Sequence, residues 1–202
     1  GRSAVAAAAY RSGTKLLDER TGIVHDFRRR RGVVHAVVIV PHGAADWASD
    51  RSLLWSSAET AEVRSDARTA REIEIALPIE LTKEERTELA LNFARELAEQ
   101  HQVCVDVAVH APGKGDQRNF HAHLLMTTRR LGTERLEEKT REWEDRKGAT
   151  PLILWWRERW AQLVNAALEA IGSTERVDHR SLVEQGIDRA PQVHLGPHAT
   201  AF

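Results

Sequence analysis

Three histidines and one tyrosine carry the chemistry legible in this chain. His121 and His123 stand two apart in the run His121 to Thr128, and His110 closes the run Val103 to His110. Side chains of a β-strand alternate between its faces, so His121 and His123 project from one face. If the earlier run folds back antiparallel through the loop Ala111 to Phe120, His110 arrives beside their start and three imidazoles converge. Three neutral imidazoles can hold a divalent ion and leave positions open for a substrate oxygen. A closed structural zinc site takes four protein ligands, often cysteines, and Cys104 is the only cysteine, which also excludes an internal disulfide. Tyr10 is the only tyrosine. A phenol, with a reference pKa of about 10, becomes a nucleophile only with help from a metal ion, a nearby arginine or a carboxylate.

The elements that must position these groups are readable from periodicity. The Ala-rich segment Arg2 to Glu19 predicts a helix broken at Thr21-Gly22. A basic connector, Arg28 to Arg31, precedes the β-branched run Val33 to Val40. Residues Ala45 to Arg71 are helical in tendency, with Trp47, Leu54 and Trp55 as buried contacts. Glu72 to Leu77 alternates, with Ile73, Ile75 and Leu77 on one face and Glu72 and Glu74 on the other. A capping box at Thr82 and Glu85 opens a helix whose buried side runs through Leu89, Phe93 and Leu97. Val103 to His110 and His121 to Thr128 alternate in turn. The charged stretch 129–149 reads as mobile, and Thr150-Pro151 opens a last helix that ends at Gly172, followed by an irregular tail from Ser173. These elements predict one domain over 1–202, an α+β sandwich on a mainly antiparallel sheet. Helices cover one sheet face, and the active site occupies the other, polar face.

Composition narrows the class. Acidic residues (30) and Lys plus Arg (29) leave a net charge of −1, so a nucleic-acid role needs a local patch rather than bulk charge. No stretch approaches the roughly 18 apolar residues of a spanning helix, and the reading is of a soluble protein in a reducing compartment. Only five of the basic residues are lysine (Lys15, Lys83, Lys114, Lys139, Lys147). Arginine pairs bidentately with phosphate, although a GC-rich genome produces the same bias. Arg28, Arg29, Arg30 and Arg31, with Arg11 beside the tyrosine, are therefore candidate phosphate contacts, against the alternative of a solvated connector. Glu72 and Glu74 are either solvated carboxylates or partners that orient a histidine or act as a base, with Glu74 favoured. Asp106 is a weaker candidate on the His110 face. Trp156 and Trp160 fall on a core stripe, whereas Trp143 and Trp155 fall off it and are candidates for stacking on bases.

Four blocks carry a resemblance: Gly1 to Gly13 with Tyr10, Arg71 to Pro78, Val109-His110 with Asn119 to Leu124, and Val177 to Ser181 with Gln185 to Asp188. In residue type and spacing they resemble the MobA/MobL family of plasmid conjugative relaxases, in the histidine-hydrophobic-histidine class of single-strand endonucleases. The resemblance implies a palm-like, ferredoxin-like sheet, Tyr10 as nucleophile, and His110, His121 and His123 as ligands of Mg²⁺ or Mn²⁺. It also implies single-stranded DNA at an origin of transfer as substrate, accessory relaxosome proteins and a coupling protein as partners, and a bacterial cytoplasmic location. Attack by Tyr10 would leave a 5′-phosphotyrosyl link that the reverse reaction reseals. The family pattern starts with a strand upstream of the tyrosine helix, which the sequence from Gly1 does not include. It also extends beyond the nicking domain, to which this chain corresponds. Two other readings stay open: a replication or transposition nuclease of the same class, and a catalytically silent single-strand-binding module whose histidines only pack.

Overall fold

The computed structural model describes residues 3–64, 66–113, 115–144 and 146–189, with side chains throughout except at 146–149. The tail beyond 189 lies outside the described residues. Helix α1 (Ala4–Ser12) is followed by the hairpin β1 (Lys15–Asp18) and β2 (Ile23–Asp26). Strand β3 (Val33–Ile39) leads through a 3₁₀ turn (Asp46–Ser49) to α2 (Arg51–Thr60) and β4 (Ala70–Ala76). Helix α3 (Lys83–His101) precedes β5 (Val105–His110) and β6 (His121–Thr127). The hairpin β7 (Arg129–Leu131) and β8 (Leu136–Lys139) precedes α4 (Arg146–Ala170).

The architecture is α+β. Strands β3, β5, β6 and β4 lie in that order in one sheet, each antiparallel to its neighbour. The alternation read from the sequence sets the two faces. Val105, Val107 and Val109 of β5 and Ala122, Leu124 and Met126 of β6 bury against Phe93 and Leu97 of α3 and Trp156 of α4. On the other face Val38, Cys104 and Leu125 meet Val5 of α1 and Leu54 and Trp55 of α2. That second face is therefore covered along part of its length, and only the end bearing the histidines is left open. Apolar positions at 38, 104 and 125 on the polar-reading face are the cause, since each needs a partner out of water.

Several boundaries differ from expectation for local reasons. The first helix stops at Ser12, not Glu19, because Gly13 takes the left-handed conformation (φ 65°) and its N–H caps the Ala9 carbonyl. A Cβ at Gly13 would also sit 3.1 Å from Val33 Cγ2. Beyond it Leu16 and Asp18 point inward and Lys15 and Leu17 outward, a strand pattern. The second helical region contracts to α2, started by the Asp50 carboxylate accepting from the Ser52 and Leu53 amides. Within the stretch 129–149, where mobility is expected, residues 129–144 hold a hairpin and a buried turn. Arg129 and Lys139 both pair with Glu62 (2.8 and 2.9 Å), and Leu136, Thr140 and Trp143 are buried. The last helix starts at Arg146, so Pro151 lies inside it. The capping box at Thr82 forms as read.

Asp106 joins α2 to the sheet from the middle of β5. It is 4% exposed and accepts from Arg51 Nε (3.0 and 2.9 Å) and Trp55 Nε1 (2.9 Å). Its partners lie in α2 rather than among the histidines, so its role is structural. Asp106→Ala strands a partly buried guanidinium and a buried indole N–H and is expected to lower stability by about 3 kcal/mol in urea unfolding. A loss under about 1 kcal/mol would show that the cluster relaxes without it.

Candidate active site

Strand register brings the three histidines together. His110 is directly opposite His121, and Ala108 opposite His123, so the three rings share one corner of the open face. Ring centroids lie 4.8 to 5.2 Å apart, and one nitrogen from each ring lies within 4.8 Å of the others. His110 is buried, and the other two are partly exposed.

Each ring gives its second nitrogen to an acceptor. His110 Nε2–H donates to the Arg11 carbonyl (2.7 Å), His121 Nδ1–H to the Asn119 carbonyl (3.0 Å), and His123 Nδ1–H to Glu72 Oε1 (2.7 Å). Oxygen acceptors of this kind fix the tautomers, so His110 Nδ1 and the Nε2 atoms of His121 and His123 carry the lone pairs, with Arg30 Nη2 3.5 Å from that of His110. Outward donors and inward lone pairs are the arrangement of metal-ligating histidines. The donor set suits a divalent ion with open positions. Burial pushes His110 down to about 4, beyond what the Arg11 carbonyl restores, with His123, Arg30 and His121 adding to the fall. The ring is therefore neutral at physiological pH, as a ligand must be.

The carboxylate that orients His123 is Glu72, not Glu74. Glu74 is the direct cross-strand neighbour of His123, yet its carboxylate stands 3.8 Å away and is 61% exposed. Glu72 reaches His123 on the diagonal because Arg11 holds it there through a bidentate pair of Nε and Nη2. Burial pulls Glu72 upward, but the hydrogen bonds from His123 and Arg11 and the Arg11 charge outweigh it and hold the carboxyl at about 2. Arg11 is thus spent within the protein, its Nη1 donating to the Ala7 carbonyl (3.1 Å). Tyr10, one residue before it, is 48% exposed at the rim of the same corner, with the Phe27 ring edge-on at 5.3 Å.

A profile of the MobA/MobL family matches residues 2–202. The chain belongs to the MobA/MobL family. It is 40% identical to "Mobilization protein MobL" of Acidithiobacillus ferridurans, over 100% of this chain and 60% of that protein. It is 36% identical to the "43 kDa relaxation protein" of Salmonella typhimurium, over 71% of this chain and 44% of that one. The chain thus spans about half the length of these relatives. A solved structure described as "Molecular Basis of Vancomycin Resistance Transfer in Staphylococcus aureus" superposes with a TM-score of 0.75 at 30% identity, covering 90% of this chain and 92% of that one.

In this MobA/MobL domain the arginine run does not act as a block. Arg28 is paired with Asp26 (2.6 Å), Arg29 and Arg31 face solvent, and Arg30 alone turns inward. Trp143 is 2% exposed, between His101, Trp156 and Arg71, which removes it as a base-stacking surface, while Trp155 stays 38% exposed. Sequence reasoning missed Phe27 and the carbonyls of Arg11 and Asn119. Backbone acceptors have no residue signature, and Phe27 lies in a connector without periodicity.

Removing the Glu72 charge in Glu72→Gln is expected to weaken Mn²⁺ binding about 10–100-fold by calorimetric titration. Unchanged affinity would mean that Glu72 does not orient His123. His110 adds a pH dependence. Its folded-state value of about 4 lies below the ordinary 6.5, so as pH falls the unfolded chain takes up the proton first. Its contribution is complete above about pH 6.5 and declines towards pH 4. Thermal unfolding of metal-free protein should show that slope, and His110→Gln should flatten it.

Proposed function

We propose that this domain cuts and rejoins one DNA strand at a plasmid origin of transfer, with Tyr10 as nucleophile, in conjugative mobilisation. The observation that carries the reading is the bond from His110 to the Arg11 carbonyl, which fastens the tyrosine-bearing helix to the three-histidine corner. Family membership and the mobilisation and relaxation names of the relatives support it.

In the proposed reaction the Tyr10 Oη attacks the scissile phosphorus and its proton passes to solvent, to which the side chain is half exposed. A phosphorus–oxygen bond to tyrosine forms as the bond to the 3′-oxygen breaks, and that oxygen leaves as a hydroxyl after taking up a proton. The new bond is also a phosphodiester, so the 3′-hydroxyl can attack it and reseal the strand without nucleotide hydrolysis. His110, His121 and His123 would hold a divalent ion, Mg²⁺ or Mn²⁺, which when bound supplies charge withdrawal and orientation at the phosphate. Glu72 keeps His123 in the ligating tautomer, and Arg11 keeps Glu72 in place. Arg29 and Arg31, exposed beside the corner, are the proposed contacts to neighbouring phosphates of the single strand. Glu74 stays a solvent-facing carboxylate near His123.

The test is incubation with an origin-of-transfer oligonucleotide and Mn²⁺, read on a denaturing gel. A covalent protein–DNA species is expected with the unmodified chain, and Tyr10→Phe should remove it entirely. An adduct that persists in Tyr10→Phe would move the nucleophile elsewhere.

A further inference from the structure

Arg30 is placed unlike any other arginine of its run. Its guanidinium carbon sits 3.8 Å over the centroid of the Tyr10 ring, and its Nη2 donates to His110 Nδ1 at 3.5 Å. The side chain thus spans the gap between the candidate nucleophile and the histidine corner. No carboxylate accounts for the position. Arg11 and Arg28 each grip an acid, whereas among the described residues Arg30 has no ion pair and its Nε is buried without an acceptor. The Tyr10 ring and the His110 nitrogen are what hold it.

The backbone beneath is pinned at both ends. The Phe27 amide donates to the Thr14 carbonyl (3.0 Å), just past α1, and the Ala111 amide donates to the Gly32 carbonyl (2.8 Å), just past His110. Gly32 has φ 88°, a conformation that a side chain disfavours, and Val33 then pairs opposite His110. Between those anchors the Arg30 amide closes a turn onto the Phe27 carbonyl (2.8 Å). The same turn therefore presents Phe27 edge-on to Tyr10 and the Arg30 guanidinium over its face.

We infer that Arg30 is a positioning residue for Tyr10: with Phe27 it clamps the exposed phenol in one orientation, and until an ion takes the His110 Nδ1 lone pair it also ties the phenol to the histidine corner. The inference rests on Tyr10 as the nucleophile proposed above, and adds a residue that acts through it rather than on DNA. A planar guanidinium is required, because an ammonium is a compact charge that does not stack over the ring face, and that stack needs no contact with His110. A half-exposed tyrosine without such a clamp samples many rotamers, and loss of alignment at a reacting atom slows chemistry more than it weakens binding.

Two measurements test this. Because Tyr10 is the only tyrosine, 3-fluorotyrosine labelling gives a single fluorine resonance. In protein without DNA or metal, Arg30→Ala and Arg30→Lys should both move it toward the position of free 3-fluorotyrosine. A resonance unchanged in both would overturn the clamp whatever the reaction is. In single-turnover cleavage of the origin oligonucleotide with Mn²⁺, both variants should slow adduct formation at saturating DNA by at least about 10-fold, with half-saturation changed less than about 3-fold. Wild-type rates in Arg30→Lys, or a defect confined to half-saturation in Arg30→Ala, would make Arg30 an ordinary phosphate contact and overturn the inference. Arg30→Lys keeps the charge, so the test stands even if Arg30→Ala folds poorly. An adduct in Tyr10→Phe would instead defeat the nucleophile assignment while the fluorine result still judged the clamp.

Discussion

One residue, Arg11, couples the tyrosine helix to the sheet. Its carbonyl takes the N–H of His110, and its guanidinium takes Glu72, which takes the N–H of His123. Two of three imidazoles are thus oriented by the residue that follows Tyr10. A helix end is a natural place for this, since the last carbonyls of a helix have no intrahelical partner and are free to accept. Shifting α1 by one turn would release both histidines at once, so the placement of Tyr10 and the geometry of the imidazoles form a single mechanical unit.

The rest of the fold serves that unit. The antiparallel register of β5 and β6 sets which histidines face each other, and the valine face of β5 under α3 and α4 keeps that register from slipping. Helix α2 holds α1 down on the second face, anchored through Arg51 and Trp55 to Asp106. Polar groups on that face are divided by their partners. Asp106, in mid-strand, is sealed beneath α2, and His110, equally buried at the strand end, packs its ring against the other two histidines. Identical alternation in the sequence thus leads to two different fates, decided by which helix covers which stretch.

Much of this was legible without coordinates. The four strands of the main sheet, the capping box at Thr82 and the convergence of His110, His121 and His123 follow from period-two alternation and one short loop. What periodicity could not show lies in groups it does not describe. The choice of Glu72 over Glu74 depends on Arg11, distant in sequence, pulling a diagonal neighbour inward. The end of α1 turned on the conformation of Gly13, and the order of residues 129–144 on Glu62 gathering Arg129 and Lys139 from both strands of a hairpin. Likewise a run of four arginines looks uniform as letters, and only the pinned turn from Phe27 to Gly32 separates Arg30 from its neighbours.

Three tautomer-locked imidazoles are proposed to hold a divalent ion beside Tyr10. The most direct measurement is anomalous diffraction from crystals of this chain soaked in Mn²⁺. One peak within bonding distance of His110 Nδ1 and the Nε2 atoms of His121 and His123 is the predicted result. A peak on other groups, or none at the corner with the rings unmoved, would contradict it.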